Sequence, residues 1–200
     1  MNFLAHLQLV GADEGLRLGA MLGDFVRGKS LARFPVEVRR GIRLHRRIDA
    51  FSDRQPDIAA LRAALPVPFR RYGGIIIDLS CDYELAGRWR DYSNQTLESF
   101  DRDVRTMLAR HTELVPEELK RFMAYADRRG LFAAYREAGE ILHSLQGIGR
   151  RLSRPNPLHR VGEIWDDFEP RVSAAFESIY TALQSEVAGW LKSKSTTTGS

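Results

Sequence analysis

Apolar residues recur along most of this chain at the three-to-four-residue spacing of an α-helix. In residues 94–111, for example, one helical face carries the apolar residues Leu97, Phe100, Val104, Met107 and Leu108. No stretch shows the sustained alternation with β-branched residues that is typical of strands. The pattern therefore predicts an all-α protein.

Prolines and glycines divide this pattern into separate helices. We predict one helix that passes through Asp24 and ends near Gly28, and a second that begins after Pro35 and ends near Asp53. A short helix is predicted to begin at Pro56, a long one to extend from Phe69 to Tyr92, and a third to begin with Asn94 as its cap. Two amphipathic helices are predicted at 115–130 and 131–148. The last predicted helix reaches about Lys192 and bends at Pro170.

Composition limits the broad class of the protein. With 200 residues, 44% hydrophobic and 28% charged, the chain suits one helical domain, which we predict over residues 1–192, followed by a polar, disordered tail at 193–200. No apolar run approaches the roughly 20 residues that cross a bilayer, and no signal peptide is evident, so we expect a cytoplasmic protein with no membrane partner. The single Cys81 excludes an intramolecular disulfide and multi-cysteine zinc sites.

The net charge indicates what type of partner the protein binds. The formal net charge is +4, carried largely by arginine, which favours an anionic partner such as a nucleic acid, a phosphorylated ligand or an acidic protein. The net charge does not choose among the three.

Candidate chemistry begins in the segment GIRLHRRIDAFSDRQP, residues 41–56. His45, Asp49 and Asp53 recur at intervals of four, so on a helix they lie along one side. An imidazole with carboxylates next to an apolar stripe can bind a metal ion, whereas a solvated polar face is the alternative. Asp53 is either a ligand or the end of its helix.

Further ligands occur in apolar surroundings elsewhere in the chain. Asp78 and Asp82 are again four residues apart within an apolar run, where charged groups are costly to bury unless they are paired or bind a metal. Asp24 follows Met21 and Leu22, and can alternatively cap a helix or end one in an ion pair with Arg27. The predicted oxygen-rich metal set, which suits Mn²⁺ or Mg²⁺ better than structural zinc, is His6, Asp24, His45, Asp49, Asp78 and Asp82, although His6 alone could be a core residue.

Arginines flank these candidate ligands. One group precedes and surrounds His45, and a second precedes Asp78; the two groups comprise Arg39, Arg43, Arg46, Arg47, Arg70 and Arg71. A run of charges is usually a solvated face, but cations next to a metal site also suit a phosphate or an acidic helix. We therefore predict that these six arginines bind substrate or partner.

Several segments resemble the acyl carrier protein phosphodiesterase family. They are MNFLAHLQL, LGDFVRG, GIRLHRRIDAFSD, RRYGGIIIDLSCDYELAGRW and VGEIWDDF, and they occur in the family's order between Met1 and about Tyr180. The resemblance implies a helical bundle like that of the HD-type metal-dependent phosphohydrolases. It also implies removal of 4′-phosphopantetheine from holo-acyl carrier protein, with Mn²⁺ as the favoured ion and Mg²⁺ as a possible one.

The resemblance assigns roles to the same residues. Matching positions imply metal ligands at the six residues of the predicted set, with catalytic roles for Asp24, His45, Asp49, Asp78 and Asp82. In this hypothesis Asp24 orients or deprotonates a water molecule, and Arg46 or Arg47 neutralises charge on the phosphoryl oxygens. The partner is then an acidic acyl carrier protein that docks on the arginines, and no nucleic acid is expected.

Two positions depart from the family pattern. Gln8 stands where the family's opening motif has a second histidine, and Tyr83, followed by Glu84, stands where a later motif has a histidine. We interpret both missing imidazoles as residues outside the set of metal ligands. Two other functions are compatible with the sequence: a phosphohydrolase acting on a nucleotide or another small phosphoester, and a non-catalytic module that binds carrier proteins or nucleic acid.

Overall fold

The computed structural model describes residues 3–28, 30–126, 130 and 132–195, and every regular element among them is a helix, which confirms the all-α prediction. Two 3-10 helices span Ala133–Arg136 and Leu158–Glu163. The α-helices in this part of the chain are α1 (Phe3–Leu9), α2 (Glu14–Leu22), α3 (Val36–Ser52), α4 (Pro56–Ala64), α5 (Val67–Arg70), α6 (Gly73–Gly87), α7 (Trp89–Tyr92), α8 (Leu97–Arg110), α9 (Glu117–Ala126), α10 (Ala138–Arg151) and α11 (Trp165–Ser195).

Helices α2 and α3 pack with their backbones in direct contact. A Cβ atom placed on Gly19 would lie 2.3 Å from the carbonyl oxygen of Val38, and one on Gly41 would lie 2.4 Å from the carbonyl oxygen of Leu16. Only glycine permits such an approach, since any side chain would occupy the space of the opposite backbone. The contact fixes α3, which carries the predicted metal ligands His45 and Asp49, against α2.

Helix α6 lies in the middle of the hydrophobic core and packs against α1, α4, α10 and α11. Its apolar side chains point to several sides, with Ile76, Ile77 and Leu85 fully buried. Helix α11 covers one side of this core with Phe176, Ile179 and other buried residues. Because α6 is surrounded, a polar residue on it either meets a partner inside the protein or lines a cavity.

Two of the predicted helices differ in extent from those in the structure. The helix containing residues 14–22 ends at Leu22, so Asp24 lies in the following turn and not within a helix. The helix predicted over 69–92 is divided into α5, α6 and α7. Tyr72 and Arg88, with ψ angles of 11° and 19°, leave the helical conformation at the two junctions. The Gly73-Gly74 pair consequently begins α6 and does not interrupt it.

Smaller differences occur later in the chain. The N-cap of α8 is Thr96 and not Asn94, because the Thr96 hydroxyl accepts the Ser99 amide. Residues 131–148 do not form one helix, since extended backbone at Glu137 separates a 3-10 helix from α10. Helix α11 contains Pro170 and includes residues 193–195 of the predicted tail, while residues 196–200 lie outside the described part of the chain. None of the described helices combines the length and the apolar character needed to cross a membrane.

The glycine contact between α2 and α3 gives the first prediction. Gly41→Ala should lower the free energy of unfolding by about 1–3 kcal/mol, because an added methyl group forces two packed backbones apart. Gly189→Ala in α11 is the matched control, because its methyl group would meet nothing within 4 Å. We expect the control to be neutral or to stabilise by up to about 1 kcal/mol. Urea unfolding followed by circular dichroism measures both, and equal stability of the two variants would contradict the contact.

Candidate metal centre

Two helices bring three of the predicted ligands together. His6 lies on α1, and His45 and Asp49 lie one turn apart on α3. The Nε2 atom of His6 is 3.0 Å from one carboxylate oxygen of Asp49, and the Nε2 atom of His45 is 3.2 Å from the other. The two imidazole rings stack with centroids 3.9 Å apart. The carboxylate of Asp49 therefore joins two histidines that are distant in the sequence.

The donor set of these residues fits a divalent metal ion. One potential ligand atom from each of His6, His45 and Asp49 lies within 4.8 Å of the other two. Two imidazole nitrogens and a carboxylate oxygen are a combination that Mn²⁺ and other first-row divalent ions accept. Both histidines are buried, whereas the Asp49 side chain is 42% exposed and reaches solvent. Among the described residues, no other cluster of three potential ligands forms.

Close packing holds the His45 ring in place. A Cβ atom on Gly23 would lie 2.2 Å from Cγ of the ring, so the backbone after α2 lies directly against the imidazole. The Nδ1 atom of His45 is buried and has no hydrogen-bond partner in the described part of the chain. The ring is therefore oriented by Gly23 and by the carboxylates at Nε2.

Asp24 reaches the same cluster from the turn that follows α2. Its carboxylate lies 3.2 Å from Nε2 of His45, and its side chain is 51% exposed. Burial opposes ionisation of Asp24, but the hydrogen bond with His45 outweighs it and lowers the pKa of the carboxyl group. The turn thus places an ionised, solvent-accessible carboxylate next to the three-residue cluster.

The two histidines have opposite electrostatic environments. Burial lowers the pKa of His6 to about 4, assisted by the neighbouring His45 and opposed by Asp49. Burial acts in the same direction on His45, but hydrogen bonds with Asp24 and Asp49 outweigh it and raise the pKa to about 9. Hydrogen bonds with His45 and His6 hold the pKa of Asp49 far below its ordinary range, against the effect of burial. In the metal-free protein the proton on His45 thus supplies the positive charge that lies between the carboxylates of Asp24 and Asp49.

A cleft of about 490 Å³ opens beside the cluster. Acidic residues Asp24, Asp49 and Asp78 contribute to its lining, and so do three arginines. Burial raises the pKa of Asp78, which projects from the first turns of α6. The full lining is Asp24, Asp49, Ser52, Asp53, Arg62, Arg70, Arg71, Tyr72, Gly74, Ile75 and Asp78.

Asp82 does not join this cleft. Its two carboxylate oxygens accept the backbone amides of Leu4 and Ala5, at 2.9 and 3.1 Å. Burial raises the pKa of Asp82 to about 7, although these two hydrogen bonds oppose the increase. Asp78 and Asp82 look equivalent in the sequence, but in the structure only Asp78 lines the cleft, while Asp82 accepts hydrogen bonds from the first turn of α1. Asp82 thereby fixes the short helix that carries His6.

The predicted arginines separate into two groups. Arg46 donates to the carbonyl oxygen of Val26 at 2.7 Å, and Arg47 donates to Glu186 at 2.7 Å, so neither lines the cleft. Arg39 and the exposed Arg43 lie on α3, also outside the cleft lining. Arg70 and Arg71 line the cleft.

Sequence reasoning missed one arginine of the cleft, Arg62. It lies on α4 and forms an ion pair with Asp53 at 3.2 Å, while Asp53 caps the C-terminus of α3. A single arginine on a short amphipathic helix has the pattern of a solvated face, so the sequence carries no specific signal for it. Arg62 packs against the Gly73-Gly74 pair, and such a glycine pair indicates that another element comes close without indicating which one.

The positions that depart from the family pattern lie outside the cluster. The side-chain amide of Gln8 donates to the carbonyl oxygen of Tyr92 at 2.7 Å, and the Tyr180 hydroxyl donates to the Gln8 carbonyl oxygen. Tyr83 packs edge-on against Trp165, with ring centroids 5.5 Å apart. Neither residue belongs to the ligand cluster or to the cleft lining.

The opposite environments of His6 and His45 give a prediction for the metal-free protein. The imidazole of His45 should titrate near pH 9, because Asp24 and Asp49 stabilise its charged form. The imidazole of His6 should remain neutral until the pH falls to about 4. Proton–carbon NMR spectra recorded across this pH range, assigned with single histidine variants, measure both values. Titration of both rings near the ordinary value of about 6.5 would contradict the described hydrogen bonds.

Comparisons with known proteins identify relatives of this chain. A family model described as acyl carrier protein phosphodiesterase matches residues 1–183. Proteins named acyl carrier protein phosphodiesterase include one from Photorhabdus laumondii, 31% identical over 79% of this chain and 80% of its own length. Another, from Yersinia enterocolitica, is 30% identical over 93% of this chain and 97% of its own length. No solved structure shows significant similarity. This chain belongs to the acyl carrier protein phosphodiesterase family.

Proposed function

We propose that this chain hydrolyses the phosphodiester that links 4′-phosphopantetheine to holo-acyl carrier protein. Water adds across one P–O bond, and the products are apo-acyl carrier protein and free 4′-phosphopantetheine. The observation that carries the proposal is the cluster of His6, His45 and Asp49 at a cleft of about 490 Å³, in a chain of this family. A cleft of this size falls within the range of roughly 300–1,000 Å³ that small-molecule sites occupy.

The cluster supports a metal-dependent reaction. His6, His45 and Asp49 would hold the ion, and the neighbouring carboxylates of the cleft favour Mn²⁺, or Mg²⁺, over a structural zinc ion. When bound, such an ion supplies Lewis acidity, which polarises a phosphoryl oxygen and lowers the pKa of water. Because His45 is protonated in the metal-free protein, binding of the ion would release that proton.

Two further carboxyl groups are available for proton transfer in the cleft. Asp24, ionised and half exposed, is suited to orient the attacking water and accept its proton. Asp78 also lines the cleft, and its raised pKa suits it to hold a proton for the leaving oxygen. Asp24 thus provides a base and Asp78 an acid, and neither role requires that the residue coordinates the ion.

The carrier protein would dock by charge complementarity. Arg39 and Arg43 belong to the same helix as His45, and Arg43 is exposed. An acidic carrier protein would meet these cations on α3, outside the cleft lining, and such contacts accelerate association and select the partner. Arg46 and Arg47, which are held by Val26 and Glu186, contribute positive charge to the same helix with less freedom to contact the partner.

Mass spectrometry of holo-acyl carrier protein tests the reaction. Incubation with the protein and Mn²⁺ should remove the mass of 4′-phosphopantetheine, a chelator should stop the reaction, and added Mn²⁺ should restore it. His45→Ala should lose both bound metal and turnover. Asp78→Asn should keep its metal but lose at least about a hundredfold in kcat, the scale of general acid catalysis.

The outcomes of this experiment separate the alternatives. Full turnover in excess chelator, or by His45→Ala, would contradict the metal centre. Loss of bound metal in Asp78→Asn would make this residue a ligand and contradict its proposed role as an acid. Intact holo-acyl carrier protein together with hydrolysis of a nucleotide would favour the small-phosphoester alternative, and binding without any turnover would favour a non-catalytic module.

The two departures from the family pattern give a separate prediction. Gln8→His combined with Tyr83→His should change kcat/KM by less than about tenfold, equivalent to about 1.4 kcal/mol, because neither residue reaches the cluster. Steady-state kinetics with holo-acyl carrier protein measure the change. A gain of several orders of magnitude would show that an imidazole at one of these positions takes part in the reaction.

A further inference from the structure

Three arginines line the cleft together with the acidic residues described above. Arg62 lies on α4, Arg70 ends α5, and Arg71 follows in the turn before α6. These residues come from one segment of the chain, whereas the histidine–carboxylate cluster comes from α1 and α3. The cleft thus has negative charge from one part of the fold and positive charge from another. Such an arrangement suits an anionic ligand that binds at the arginines next to a cation at the carboxylates.

Arg62 is held in a defined position at the cleft. Its stem passes over Gly73, where a Cβ atom would lie 3.0 Å from the Arg62 Cγ atom, and its guanidinium lies next to Gly74, where a Cβ atom would be 3.6 Å away. One nitrogen donates to Asp53 at 3.2 Å. A guanidinium offers five N–H donors, so this contact leaves others for a ligand.

Arg70 and Arg71 differ in their availability. The Nε atom of Arg70 donates to the carbonyl oxygen of Leu65 at 2.8 Å, which ties this side chain to the end of α4. Arg71 is exposed and forms no ion pair within the described part of the chain. Arg71 is therefore the arginine of the cleft with the fewest contacts that compete with a ligand, and Arg62 is the arginine whose side-chain position is most restricted by its neighbours.

We propose that Arg62 and Arg71 form a phosphate subsite, which binds the non-bridging oxygens of a phosphodiester or phosphate in the cleft lined by Asp24, Asp49 and Asp78. The proposal deepens the proposed function and rests on it for the identity of the substrate. The acidic residues alone would repel a phosphate group, and two guanidinium groups offset that repulsion. Guanidinium geometry also matches two phosphate oxygens at once, which an ammonium group does not.

The subsite replaces the role expected for Arg46 and Arg47. Charge that develops on the phosphoryl oxygens during hydrolysis is stabilised by cations that lie within the cleft. Arg46 and Arg47 contact Val26 and Glu186 outside the cleft lining, whereas Arg62 and Arg71 belong to it. Arg62 and Arg71 are therefore the residues placed to bind the phosphate of the substrate.

Calorimetric titration with inorganic phosphate tests the subsite without requiring turnover. Arg62→Gln and Arg71→Gln in the full chain should each weaken phosphate binding by about tenfold, equivalent to about 1.4 kcal/mol. Arg102→Gln is the matched control, because Arg102 is exposed on α8 and does not line the cleft, and its phosphate affinity should stay within twofold of wild type. Pantetheine, which lacks the phosphate, should bind equally to all four proteins, whereas 4′-phosphopantetheine should follow inorganic phosphate.

Phosphate affinity within twofold of wild type in both cleft variants would overturn the subsite, and so would a wild-type protein that does not bind phosphate. Arg71→Gln keeps the test valid if Arg62→Gln is unstable, because Arg71 makes no ion pair in the described residues. Hydrolysis of holo-acyl carrier protein is measured separately. Hydrolysis with unchanged phosphate affinity would refute the subsite alone, whereas arginine-dependent phosphate binding without hydrolysis would refute the proposed function alone.

Discussion

The direct backbone contact between α2 and α3 at Gly19 and Gly41 is the constraint on which the candidate metal centre depends. It brings the end of α2 so close to α3 that Gly23 lies against the His45 ring and Asp24 reaches the Nε2 atom of that ring. A side chain at either glycine would separate the helices and withdraw the turn. The position of Asp24, the carboxylate that we propose as the base, therefore depends on glycines that take no part in the chemistry themselves.

Burial of two imidazoles is balanced by the carboxylates around them. His6 and His45 stack inside the protein, and Asp49 connects both rings from α3. Burying such groups without partners would be costly, and the strongly shifted pKa values of His45 and Asp49 show that the charged pair is the favoured state. In the proposed reaction a divalent ion would replace the proton on His45, and the carboxylates that would meet the ion already lie next to the ring. The metal-free site is thus organised before an ion binds.

Opposite charges share the cleft because different segments supply them. Helices α1 and α3 contribute the cluster of His6, His45 and Asp49, and the turn after α2 contributes Asp24. The segment from α4 to the start of α6 contributes Arg62 and Arg71. Glycines at the start of α6 leave room for the Arg62 side chain. Together these features provide one region for a cation and another for an anion, which is what a metal-dependent reaction on a phosphodiester requires.

The sequence by itself determined the helical class, the bounds of α3 and the pairing of His45 with Asp49, because helix period and i,i+4 spacing are local properties. It also indicated that Asp24, Asp78 and His6 lie in apolar surroundings. Only the tertiary structure decided between Asp78 and Asp82, since the amides of α1 that occupy Asp82 come from about 78 residues away. Likewise, it placed Arg62 in the cleft and turned Arg46 and Arg47 towards Val26 and Glu186. Equal spacing on a helix makes side chains neighbours, but which partner each one meets depends on long-range packing that a local pattern does not contain.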